Sequence, residues 1–140
     1  MRGKSATHDV DAPLARTRLL EGLRNERKAF IYHCWNHYFC PVGFELTPPD
    51  PLDAYIASEE DPINLGYDTW IIIGEVSKCY PVFHSKRWAD IVTDISCGFP
   101  EFFNIRKSEL GIQKKETPSF QEGGSKAGGN LHCLIEFELT

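Results

Sequence analysis

Apolar positions change period several times along the chain, and each change marks an element. In "APLARTRLLEGLRNERKAF", Leu14, Leu19, Leu20 and Leu23 recur near one side among arginines. That is the pattern of an amphipathic helix with a solvated basic face, opened by Pro13, whose missing N–H costs nothing in a first turn. Gly22 weakens such a helix by up to about 1 kcal/mol. "AFIYHC" and "HYFCPVGFEL" follow, rich in aromatic and β-branched residues and separated only by Trp35-Asn36. Two such runs joined by two residues predict a β-hairpin, since Asn tolerates the positive φ of a tight turn. The loop length also fixes the register. Cys34 is set opposite His37, His33 opposite Tyr38 and Tyr32 opposite Phe39, with the members of each pair sharing a face.

Beyond the hairpin the texture alternates between loops and apolar runs. "TPPDPLDAYIASEEDPINLG" combines four prolines with a run of acidic residues and little periodicity, which reads as a long surface loop. "YDTWIIIGEV" is continuously apolar up to Gly74 and predicts a central strand buried on both sides. A short strand around "YPVFH" precedes "SKRWADIVTDISCG", where Trp88, Ile91, Val92 and Ile95 recur at helical spacing behind Ser85 as N-cap. "FPEFFNIRKSELGI" begins at a turn and has room for a short helix. "QKKETPSFQEGGSKAGGN" is loop-like, and "LHCLIEFEL" alternates as a half-buried last strand. No internal repeat is visible. The expected architecture is a single α+β domain over residues 13–140, behind a flexible N-terminus at 1–12. It has a small, mostly antiparallel sheet, the N-terminal helix, one or two further helices, and loops near 47–66 and 113–130.

Composition narrows the function classes. The 140 residues, 41% hydrophobic and 25% charged, suit one ordinary globular domain. About two-thirds of the unfolded surface can be buried at this size, so no metal or disulfide is needed for folding. The formal charge is −5, from 15 basic and 20 acidic residues. That balance disfavours nucleic acid and anionic membranes as partners. "MRGKSATHDV" offers no apolar stretch of signal-peptide length, and no window approaches the ~18 apolar residues of a membrane span. Cys34, Cys40, Cys79, Cys97 and Cys133 are odd in number and scattered, as expected of free thiols in a reducing, cytoplasmic setting.

The densest chemistry lies in "YHCWNHYFC", Tyr32 to Cys40. His33, Cys34, His37 and Cys40 superficially offer four zinc ligands. In a hairpin, however, His33 and Cys34 point to opposite faces and Cys40 points away from His37. Convergence would require Cys79, His84 or the His132-Cys133 pair, so no metal or cofactor is expected. Cys34 and His37 can approach as a thiolate–imidazole pair. A mid-strand cysteine nevertheless lacks the helix N-terminus that lowers a thiol pKa. "GGSKAGGN" lacks phosphate-loop spacing and reads as a flexible connection into the last strand. Trp70, Trp88, Phe102 and Phe103 read as core or core-edge residues.

"IYHCWNHYFCPVGFE", "WIIIGEVS", "HSKRWADIVTDI", "PEFFNIR" and "GGNLHCLIEF" occur in an order that resembles the basic immunoglobulin-like variable motif-containing protein family, from about Leu19 onward. The sequence itself has no Cys…Trp…Cys arrangement of an immunoglobulin sandwich. More remotely, helix, hairpin and buried strand resemble the second half of a papain-like cysteine-hydrolase fold. That resemblance implies His37 as a general-base histidine, with Glu75 orienting it. Members of the family carry an upstream "CG" segment opening a helix, which would match the nucleophile. The first 28 residues here contain no cysteine.

The expectation is therefore a non-catalytic half-domain of papain-like descent. It would bind other protein chains through an uncovered sheet face, as a structural subunit of an assembly, a cytoskeletal or ciliary one being an example. The competing expectation is a cysteine hydrolase or transferase. It would use His37, Glu75 and either Cys34 or a nucleophile from another chain.

Overall fold

Asp11 starts the first helix, α1 (Ala12–Leu23), by accepting the Leu14 N–H at 2.8 Å through its side chain. Pro13 stands in the first turn, as expected. In the computed structural model, residues 10–34, 37–75, 82–97, 100–114 and 133–140 are described, with Cys34 and His37 described by their backbone alone. Gly22 has a packing reason. A Cβ there would run into the Phe30 ring, so its absence lets α1 lie against β1 (Lys28–Cys34).

After β1 come β2 (His37–Thr47), a 3-10 turn (Pro51–Tyr55), β3 (Asp68–Glu75), β4 (Val82–Arg87) and α2 (Trp88–Ser96). A small hairpin of β5 (Glu101–Phe103) and β6 (Ile112–Lys114) flanks a 3-10 turn (Ser108–Leu110), and β7 (Cys133–Glu138) ends the chain. The main sheet has five antiparallel strands in the order β4-β3-β2-β1-β7. This is an α+β fold. Its central strand, β2, contains Pro41, which cannot donate to a ladder, and the register with β3 shifts between Pro41 and Gly43. A bulge is where a proline can sit inside a sheet.

Leu19, Leu20, Phe30, Ile63, Ile71 and Ile73 form the buried cluster, and Leu23, Phe39, Phe44, Leu46, Trp88 and Ile91 pack against it. Both helices thus meet the same face of the sheet, the one to which Thr69, Ile71 and Ile73 point. Arg16 ties α1 to β3, donating through Nε to Thr69 Oγ1 at 2.6 Å and through Nη1 to the Ile63 carbonyl at 2.9 Å. Burial lowers its pKa. Among the described residues, no helix is long and apolar enough to cross a membrane.

The hairpin register is the expected one, with Tyr32 on Phe39, His33 on Tyr38 and Cys34 on His37. Other expectations need correction. β3 is next to the edge rather than central. Only Thr69, Ile71 and Ile73 are buried along it, while Trp70 and Ile72 are half-buried on the other face. Ser85 is no helix cap: it pairs with Ile72 in the β3–β4 ladder, and α2 begins after Arg87, without a side-chain cap. Strand hydrogen bonds to β3 hold the chain extended through Ser85. The last strand is not half-buried. β7 is an edge, exposed along its whole length. "FPEFFNIRKSELGI" holds a strand and a 3-10 turn in place of an α-helix. The Trp35-Asn36 turn, the first nine residues, Cys79, and the Lys/Gly segment with Leu131 and His132 lie outside the described residues.

Candidate functional site

At the hairpin end of the sheet, strand alternation gathers an aromatic and acid–base cluster on the helix side. Tyr32 stacks on Phe39 with ring centroids 6.4 Å apart, and Phe39 meets the His84 ring edge-on, also at 6.4 Å. His84 pairs with Ile73 across β3–β4, which puts it on the face that Glu75 shares with Ile73. The His84 Nδ1 lies 3.8 Å from Glu75 Oε2, and the Glu75 side chain is only 12% exposed. The two side chains thus form a close acid–base pair on the helix side of the sheet.

Cys34 and His37 form the last pair of the β1–β2 ladder. Glu75 stands one residue past the Cys40–Gly74 pair of β2–β3, beside Phe39. The backbone position of His37 is thus a diagonal neighbour of Glu75, about 7–8 Å away in an antiparallel sheet. The described contact of Glu75 is with His84, which sequence reasoning had named only as a spare metal ligand. The missed signal was the alternation through "VFHSKR": a strand that extends past Phe83 must turn His84 toward Glu75 when β3 and β4 pair antiparallel.

Cys40 and Cys97 are half-buried and Cys133 is exposed, all three free. Burial, with Asp94 and Glu101 nearby, pushes the Cys97 thiol up, away from the reactive thiolate. Among the described residues, no three His, Cys, Asp or Glu side chains are grouped to hold a metal ion.

The other face of the sheet has a different character. No described helix covers it. Tyr38, Val42, Phe83, Ile135 and Phe137 are all exposed there, with Phe83 at 67%. His33 and Tyr38 rings lie 4.8 Å apart. Gly74 forms a shallow floor between Val42 and Phe83: a Cβ on it would touch Val42 Cγ1 at 3.6 Å and Phe83 Cε1 at 3.7 Å. Charges on this face sit at one end, where Arg87 holds both Asp68 oxygens at 2.8 and 2.6 Å near Glu45.

The comparisons with known proteins agree with one another. A mouse protein named basic immunoglobulin-like variable motif-containing protein is 46% identical over 136 residues, covering 97% of this chain and 25% of its own length. The human protein of that name is 45% identical over the same span. One from Giardia intestinalis is 26% identical over 118 residues, covering 69% of this chain and 42% of itself. The chain therefore spans about a quarter of the length of its vertebrate relatives. No solved structure matches it. With a family model also matching residues 1–140, the chain belongs to the basic immunoglobulin-like variable motif-containing protein family.

Proposed function

We propose that this chain is a non-catalytic docking domain whose helix-free sheet face receives an amphipathic helix of another protein element within a larger assembly. The observation that carries the reading is the exposed apolar face of Tyr38, Val42, Phe83, Ile135 and Phe137. Five strands about 4.8 Å apart make a platform roughly 19 Å wide, enough for a helix of about 10–12 Å diameter. Among the described residues, charge on this face is confined to the Glu45, Asp68 and Arg87 end, which would set the helix's direction. Apolar patches rimmed on one side by charge are the usual mark of a protein interface.

Sedimentation of native extract tests it. The protein is expected to travel in an assembly well above monomer mass, and a Tyr38→Ser/Phe83→Ser/Phe137→Ser variant as a folded monomer. A wild-type protein that sediments as a free monomer would sink the proposal.

One observation favours a second reading, a cysteine hydrolase or transferase centred on His37. The Cys34–His37 ladder pair and the largely buried Glu75 carboxylate lie at the same end of the sheet. Rapid labelling of Cys34 by iodoacetamide near neutral pH, abolished by His37→Ala, is the result that this reading requires.

A further inference from the structure

We propose that the segment 50–61, between β2 and β3, is a second docking element: an apolar knob that seats in a pocket rimmed by Lys and Arg on a different protein. It is separate from the helix-free sheet face and does not depend on that reading.

The local sequence builds the knob. Asp50 caps the 3-10 turn by accepting the Leu52 N–H at 2.9 Å, and Pro51 fixes φ at the turn's first position. In a 3-10 turn, residues three apart eclipse one another, so Leu52 and Tyr55 project from the same side. Their exposures are 71% and 89%, and Ile56, the next residue, is 66% exposed. A lone exposed leucine is ordinary; three large apolar side chains at one tip are not.

The knob is also held from below. Pro48 and Ile63 are buried on either side of it. Asp61 accepts two bonds from Arg24, at 2.7 and 3.1 Å, and one from the Ile63 N–H at 3.0 Å. Arg16 binds the Ile63 carbonyl. The Arg24 guanidinium in turn lies over the Phe44 ring at 5.5 Å. With one foot tied to α1 through Asp61 and Ile63 and the other continuing from β2, less ordering is left for a partner to impose, which favours binding.

Charge selects the occupant. Residues 50–61 contain five carboxylates, Asp50, Asp53, Glu59, Glu60 and Asp61, and no Lys or Arg. Asp50 and Asp61 are used internally, while Asp53, Glu59 and Glu60 make no ion pair among the described residues. An apolar tip with unpaired carboxylates beside it in the same segment complements an apolar pocket with a basic rim, and rejects acidic surroundings. A second copy, itself at −5, and an anionic lipid surface are both electrostatically wrong.

The test is photo-crosslinking of the intact protein in its own cells, with p-benzoylphenylalanine in place of Tyr55 and mapping of the crosslinked peptide. The expected product joins position 55 to an apolar pocket bordered by Lys or Arg on another protein. Its yield should fall about tenfold or more with Leu52→Asp, the scale of a lost interface anchor. Glu59→Lys/Glu60→Lys should lower it several-fold, and raising the salt should do the same. Melting temperatures of both variants should match the wild type. Crosslinks to a second copy, to lipid, or to a pocket without a basic rim overturn the proposal. So does a yield indifferent to the charge reversal, or no crosslink at all.

Discussion

The two faces of the sheet are built from the same kinds of residue and have opposite fates. On β3, Ile71 is 1% exposed beneath α1 and α2, while its neighbour Ile72 points to the helix-free side and stays half-exposed. β4 repeats the contrast: His84 is half-buried beside Glu75, and Phe83 stands in solvent. Apolar character therefore states what a face could bury, and only the packed elements state what it does bury. In this fold the covered face supplies stability. The open face leaves its apolar side chains exposed.

The largest effect should separate Ile71 from Ile72. Ile71→Ala removes a fully packed side chain and is expected to cost about 2–5 kcal/mol, and Ile72→Ala about 1 kcal/mol or less. Urea denaturation of the two variants gives the comparison directly. Equal losses would mean that the helix-free face is as tightly packed as the other, and would break the contrast.

A smaller effect probes how closely the covered face is fitted. Ala is the better helix former, by about 1 kcal/mol, so Gly22→Ala would stabilise an isolated α1. Here its Cβ would meet the Phe30 ring, with Cε2 only 2.9 Å away. Overpacking should win, for a net loss of about 1–3 kcal/mol. Thermal melts should show Phe30→Leu recovering part of that loss in the Gly22→Ala background and none of it alone.

Much of this was legible in the sequence where local rules decide. The two-residue spacing between "AFIYHC" and "HYFCPVGFEL" dictated the β1–β2 register residue by residue, and leucine spacing located α1. Neighbour-dependent features were not legible. "WIIIG" is apolar at every position and so cannot say which of its faces is covered, and β7 alternates whether or not anything lies against it. The Ser85 misassignment has the same origin: a serine before an apolar run is a good cap until a neighbouring strand claims its backbone. At the candidate site, Glu75 was found through resemblance. His84 required knowing that β4 runs on to Arg87.

The covered side also holds a charge that it would keep more easily as a neutral group. Burial in α2 pushes Asp94 up to about 6, from 3.8. A carboxyl whose pKa is higher in the folded state takes up a proton on folding. Its favourable contribution is then full below about pH 4 and is lost as pH rises through about 6. At pH 7 the ionised Asp94 is a burden, and Asp94→Asn should stabilise by about 1 kcal/mol. That figure is well below the full linkage value because the side chain is only partly buried. Below about pH 4 the gain should vanish. Denaturation midpoints across that range check both the sign and the window, and a gain that persisted at low pH would point to a cause other than the carboxylate's charge.

The smallest expected change in stability is the one that bears most on function. Phe83 lies on edge strand β4, opposite Gly74 in the β3–β4 ladder, with two-thirds of its surface in water. Phe83→Ser removes little packing, and the fold should stay within about 0.5 kcal/mol of wild type, as surface substitutions do. If the open face receives a helix, the same change deletes an anchor on one side of the Gly74 slot. Association should then fall about tenfold or more while the melting temperature holds. Gly74→Ala sharpens the comparison, because its Cβ fits at ordinary contact distances in the free domain yet fills the slot that a partner side chain would enter. Loss of association in both variants with unchanged melts separates a face used for binding from one that is merely uncovered. A Phe83→Ser protein that unfolds several degrees early would instead place Phe83 within the fold's own packing.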